Sequence, residues 1–178
     1  MLKRRDRAQP TRLLLSTGTE HNAQIKYIGR MAFIRGQADL FAHNEIFVRA
    51  SCKKVFNNLA DAQAWPSWYP NSHDVKLLNN LDGKLHRGTR FSWDTFGVHI
   101  ESTVHKFVPD SRLAWFGNGT AMKAYHTFLL LREGEGCRIV TKEVVKGPGA
   151  IDFREKQPAA MHEGHDLWLS TLKQRSEP

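Results

Sequence analysis

The sequence predicts a single α+β domain in which an antiparallel sheet packs against a long C-terminal helix. Five runs rich in β-branched and aromatic residues follow one another between Thr89 and Lys146, split by short turn signals. After them, Pro158 to Lys173 carries the apolar stripe of an amphipathic helix. A length of 178 residues, 40% hydrophobic and 25% charged, suits one globular domain with its own core.

Residues 1–40 read as a basic leader, with eight Lys/Arg against three Asp/Glu and no cap or clean period to define a helix. The domain proper is expected over 41–178. Glu45 to Ala50 reads as a strand, and Ser51 as the N-cap of a helix through Val55, Phe56 and Leu59. Trp65-Pro66-Ser67-Trp68-Tyr69-Pro70 ends regular helix, because proline lacks the amide hydrogen and clashes with the preceding turn. Val75 to Leu78 is a second strand. The five runs are Thr89–Thr95, Val98–Phe107, Arg112–Phe116, Ala124–Arg132 and Cys137–Lys146. They are separated by Phe96-Gly97, Val108 to Ser111, Asn118-Gly119 and Glu133 to Gly136. Links this short imply hairpins between antiparallel neighbours. Gly147-Pro148-Gly149 closes the meander, and Pro158 suits the first turn of the last helix. That helix gathers Met161, Gly164, His165, Trp168, Leu169 and Leu172 on one side.

The net charge of +8 lies mostly in the leader, so it does not mark the body as a nucleic-acid binder; a solvated tail is the expected role. Cys52 and Cys137 are far apart, with no second thiol near either, and are expected to be unpaired core residues. The aliphatic runs Leu13–Leu15 and Leu129–Leu131 are far short of the roughly 20 residues that span a bilayer. Leu13–Leu15 also makes no signal-peptide core, so a cytoplasmic location is expected.

The order of strand, helix ending in Trp-Pro-x-Trp, strands and C-terminal helix resembles the START-like, or SRPBCC, superfamily, in its polyketide cyclase/dehydrase-related branch. The residues that carry the resemblance are Val48-Arg49-Ala50, Trp65 to Pro70, Val104 to Trp115 with Pro109 and Leu113-Ala114-Trp115, His126 with Phe128, and Glu143 followed by Gly147. It spans about Ile46 to Leu172. It implies a helix-grip fold, a curved sheet wrapped around the C-terminal helix with an apolar cavity between them. Members bind lipids, polyketides, hormones or other hydrophobic molecules, and only some are enzymes.

Side chains alternate along strands and directly paired residues share a face. The turns therefore place Phe91, Trp93, Ile100, Ser102, Val104, Leu113, Trp115, His126, Phe128, Leu130, Ile139, Thr141 and Glu143 on the inner face. Arg90, Asp94, His99, Glu101, Thr103, His105, Arg112, Arg138, Lys142 and Lys146 fall outside. A ligand site is expected from Phe91, Trp93, Trp115, His126, Phe128, Thr141, Glu143, Met161, His165 and Trp168, apolar walls with His126, Glu143 and His165 as polar anchors. These three polar groups can equally satisfy one another, since a buried polar group is costly unpaired. The alternative function is a cofactor-independent cyclase or dehydratase in which the His126–Glu143 pair moves a proton.

No cofactor is expected. His162-Glu163-Gly164-His165 has zinc-helix composition, but its histidines are at i and i+3 rather than the HExxH spacing, so no metal is expected either. His99, Glu101 and His105 read as a solvated stripe, and Trp65 and Trp68 as packing residues. On the outer face of the last strands, Tyr125, Leu129, Leu131, Val140 and Val144, with Ala114 and Phe116, form an apolar patch. Either the leader, through Ile25, Ile28, Met31, Phe33 and Ile34, or a second subunit in a homodimer is expected to cover it.

Overall fold

The computed structural model describes residues 38–80 and 82–178. Seven strands form one antiparallel sheet in the order β1-β7-β6-β5-β4-β3-β2. They are β1 (Leu40–Val48), β2 (His73–Leu77), β3 (Arg90–Thr95), β4 (Val98–Val108), β5 (Arg112–Gly119), β6 (Met122–Glu133) and β7 (Gly136–Lys146). Among the described residues, three α-helices accompany them: α1 (Cys52–Ala60), α2 (Pro148–Lys156) and α3 (Ala160–Ser176). The meander β3 to β7 is hairpin-linked throughout, and β1 closes the far edge by pairing with β7. The α3 helix lies along β1. This is the α+β helix-grip arrangement.

Local sequence accounts for most of these boundaries. The Ser51 hydroxyl accepts the Lys54 amide hydrogen at 3.2 Å and caps α1. Past α1 the chain forms a 3₁₀ turn, Ala62–Ser67, which holds Pro66 where an α-helix would not. Inner-face parity is as expected for Trp93↔Ile100, Val104↔Trp115, Trp115↔His126 and His126↔Glu143.

Several details differ from the sequence reading. The first strand starts at Leu40, and Asp39 is already tied to the sheet, its Oδ2 accepting the Gly147 amide hydrogen at 2.8 Å. The β4–β5 link is one residue shorter than read, pairing Val108 with Arg112. A bulge between Val104 and Lys106 restores the parity of Val104↔Trp115. Asn118-Gly119 is not a turn: both residues remain in the ladder, opposite Lys123 and Met122, and the reversal falls at Thr120-Ala121. Gly119 serves packing there, since an added Cβ would lie 2.7 Å from Ile100 Cδ1. The helix α2 follows directly from Gly147 with Pro148 in its first turn, where the sequence reading assigned no element. Pro158 precedes α3 rather than opening it.

The largest correction concerns the cysteines. Cys52 and Cys137 form a disulfide, with Cα atoms 5.0 Å apart. Val48, the last residue of β1, pairs with Cys137. Arg49 and Ala50 then bend the chain so that Cys52, the first residue of α1, comes back to Cys137. The contact is created by the β1–β7 register, which local sequence does not show.

The core is largely aromatic. Trp65 is fully buried, its indole N–H donating to the Leu59 carbonyl at 3.0 Å. Its ring packs against Phe91, Trp93, Trp115 and Trp168 at centroid distances of 5.8, 5.4, 5.7 and 5.1 Å. Edge-on and tilted geometries dominate, as the ring quadrupoles favour. A tryptophan from the Trp-Pro-Ser-Trp segment thus fills the middle of the space between sheet and helix. Tyr125, Leu129, Val140 and Val144 on the outer face are buried as well. The leader residues expected to cover them lie outside the described residues.

Candidate functional site

Beside the aromatic cluster, sheet, α2 and α3 enclose a cavity of about 60 Å³. Its walls are mostly apolar: Trp93, Ile100 and Trp115 from the strands, Phe153 from α2, Met161 and Trp168 from α3. Its polar end holds His126 on β6, Glu143 on β7 and His165 on α3. The two strand residues meet because they are directly paired, and His165 arrives from the face of α3 that packs on the sheet. Gly164 lets that helix come close, since an added Cβ would stand 2.3 Å from the Phe96 ring.

The three polar groups form a compact chain. His165 Nε2 is 3.0 Å from Glu143 Oε2, and His126 Nδ1 is 3.6 Å from the same oxygen. The other ring nitrogen of His126, Nε2, is hydrogen-bonded to Thr141 Oγ1 at 2.8 Å. The two imidazoles stack, centroids 4.7 Å apart and planes 20° from parallel. Burial drives the His126 pKa down to about 3, with Glu143 opposing the shift and His165 adding to it. His126 is therefore neutral at pH 7. Burial alone would raise the Glu143 carboxyl, but the facing imidazoles of His126 and His165 outweigh it and hold it below the ordinary range. Glu143 is an anion at neutral pH, so the proton in its bond with His165 sits on His165 Nε2.

Three buried polar atoms of residues lining the cavity have no hydrogen-bond partner: His165 Nδ1, Trp168 Nε1 and Thr95 Oγ1. The first two stand three residues apart on the same face of α3. Nearby, the Tyr69 hydroxyl is 3.3 Å from the Gly164 carbonyl and also accepts from Asn71 Nδ2; burial raises its pKa.

Of the residues expected at the site, Trp93, Trp115, His126, Glu143, Met161, His165 and Trp168 line this cavity. Phe91 and Phe128 are instead sealed in the aromatic core, and Thr141 lies behind His126 as its hydrogen-bond partner. Sequence reading missed Phe153 and Ala150, which line the cavity from the unforeseen α2, and Leu40, at the edge of the leader. Their signal was faint: Gly147-Pro148 is a helix start as well as a strand end. His162 of the zinc-like segment points to solvent beside Asp166, at 3.6 Å, and does not converge with His165. The outer histidines are engaged locally, His99 with Asp94 at 2.6 Å and His105 with the Tyr125 hydroxyl at 3.2 Å.

A divalent cation could draw on one ligand atom each from His126, Glu143 and His165, all within 4.8 Å of one another. Imidazole binds a metal in its ring plane, and nearly parallel stacked rings share no such point, so one ring would have to turn first. As it stands, the arrangement is two hydrogen-bonded pairs, Thr141–His126 and Glu143–His165, set side by side at the end of an apolar pocket.

Among known proteins, residues 42–177 match the family model described as polyketide cyclase/dehydrase and lipid transport. No curated protein matches the chain. A hypothetical protein of Helicobacter pylori is similar in structure, with a TM-score of 0.77 and 32% identity over 83% of this chain and 94% of its own. A START superfamily protein from Mycobacterium smegmatis superposes with a TM-score of 0.60 at 15% identity, covering 76% of this chain and 96% of that one. A di-domain ARO/CYC protein of the steffimycin biosynthetic pathway gives 0.64 at 13%, covering 78% and 51%. The last two likenesses concern the fold alone. With its Trp-Pro-Ser-Trp turn, its seven-stranded grip on α3 and a family match over most of its length, the chain belongs to the polyketide cyclase/dehydrase and lipid transport family of START-like proteins.

Proposed function

We propose that the protein binds a small hydrophobic molecule in this cavity, with His126, Glu143 and His165 at the polar end of the site. The observation that carries the reading is the cavity itself, apolar on its walls and ended by three polar side chains from three elements. Its size narrows the reading. About 60 Å³ is room for roughly five water molecules at 10–15 Å³ of probe volume each, so the occupant is on the order of one ring, not a fused polycycle. Trp65 packs against Trp93, Trp115 and Trp168 of the same wall, on the core side. Native mass spectrometry of protein purified from its own host tests this: a co-purifying small molecule is expected. Ala150→Leu, which projects a larger side chain from the cavity wall, should remove it.

A second reading, a cofactor-independent cyclase or dehydratase, draws on the neutral buried His126 beside an ionised Glu143, a pair able to accept and pass a proton. His126→Ala or Glu143→Gln would then abolish turnover while ligand binding survives; a binding protein has no turnover to lose.

The compartment is read from the disulfide. Such bridges persist in oxidising compartments and are rare in the cytosol, where thiols are kept reduced. This argues against the cytoplasmic expectation. Among the described residues no helix is long and apolar enough to cross a membrane. Two reactive thiols in protein trapped directly from its host would restore the cytoplasmic reading.

A further inference from the structure

The pocket's own unpaired atoms say which chemical group its occupant carries. His165 Nε2 is turned to the Glu143 carboxylate, so in the tautomer that carries its single ring proton there Nδ1 is an acceptor. Trp168 Nε1–H can only donate. Both atoms are buried and without a partner, and both side chains line the cavity. Buried polar atoms left unpaired are costly and rare, so a matched pair on adjacent turns of one helix needs an account.

We propose that the polar end of the cavity recognises an uncharged hydroxyl group on a single-ring hydrophobic molecule, a phenol or cyclic alcohol, which donates to His165 Nδ1 and accepts from Trp168 Nε1. One hydroxyl, being both donor and acceptor, satisfies both orphaned atoms at once. An ether or ketone has no proton to donate and leaves Nδ1 unpaired; a hydrocarbon leaves both. A carboxylate faces a further obstacle. Glu143 already places a negative charge at this end of a low-dielectric pocket, and a second anion there is repelled. The site therefore selects against fatty acids and other organic anions, which its apolar walls would otherwise tolerate. This inference rests on the cavity-binding reading above and adds the identity of the polar group.

The test uses the full chain and four probes that share one ring: phenol, anisole, toluene and benzoate. Their dissociation constants are measured by calorimetry or by chemical-shift titration of the tryptophan indole resonances. Phenol should bind about five- to tenfold more tightly than anisole or toluene, the worth of one to two net hydrogen bonds, and benzoate should not bind. Trp168→Phe keeps a ring but removes the N–H. It should weaken phenol by up to about tenfold and leave toluene unchanged. Glu143→Gln should admit benzoate. If phenol and toluene bind equally, or anisole matches phenol, the hydroxyl assignment is overturned while the cavity reading stands. If none of the four binds, both fall together. If benzoate binds the unaltered protein, the role given to Glu143 is wrong.

Discussion

His126 is the residue whose burial has the clearest energetic consequence. Its pKa is depressed from 6.5 to about 3 in the folded state. Between those values the unfolded chain binds a proton at this position and the folded chain does not, so stability is intact above pH 6.5 and falls as pH drops through the window. The slope is about 1.4 kcal/mol per pH unit, hence roughly 2 kcal/mol between pH 7 and pH 5. Glu143 acts in the same direction but lower. Its depressed pKa contributes stability above the unfolded carboxylate value, which is lost only in stronger acid. Urea midpoints at pH 7 and pH 5 should show the loss in the parent chain and a shallower one in His126→Gln; parallel curves would mean that His126 is solvated. Trp115 offers a second measurement. It is 2% exposed inside the aromatic cluster, whereas Arg112, three residues away on the same strand, is only half-buried. Trp115→Ala should cost about 3–5 kcal/mol. Arg112→Ala should cost under about 0.5 kcal/mol. Equal costs would contradict the face assignment.

At the scale of elements, hairpin parity was legible and helix content less so. Short turns propagate register from strand to strand, and a buried face tolerates no one-residue slip. That is why His126 and Glu143 could be paired from sequence even though one turn and one bulge were misread. The α2 helix was not legible: Pro148–Lys156 has no strong apolar stripe, and only Ala150 in it is buried. Its place against the sheet comes from tertiary contact. The disulfide belongs to this scale too, joining the start of α1 to β7 across a separation of 85 residues. Closing a loop of that length is worth on the order of 4–5 kcal/mol in the chain-entropy account. Replacing both cysteines by serine, or reducing them, should therefore lower stability by about 2–5 kcal/mol. The far-ultraviolet circular dichroism should persist, because the bridge joins elements already paired through β1. No change in unfolding midpoint on reduction would mean that the thiols are not bonded.

For the whole molecule, the remaining question is association. Tyr125, Leu129, Val140 and Val144, on the outer face of the sheet, are each no more than 7% exposed within one chain. The leader or a second subunit is expected to cover this patch, and sedimentation of the full chain separates the two. A chain shortened to begin at Ala38 keeps Asp39 and all of β1. If it self-associates while the full chain does not, the leader is the cover; a dimer of equal strength in both would restore sheet-to-sheet association.

The sequence alone determined the antiparallel meander, the final helix, the inner face and the three polar residues that line the cavity's end, because these follow from periodicity, turn chemistry and proline placement, all local signals. Only the tertiary structure decided which residues actually border empty space. Phe91, Phe128 and Thr141 have the right parity for a ligand wall, yet packing density, not parity, governs cavities, and Trp65 packs against Phe91 in the core beside it. The pairing of Cys52 with Cys137, the convergence of His165 on Glu143 and the unpaired state of His165 Nδ1 and Trp168 Nε1 are likewise contacts between elements distant in sequence. They depend on how β1, β7 and α3 come together in space, and no local pattern in the chain encodes that distance.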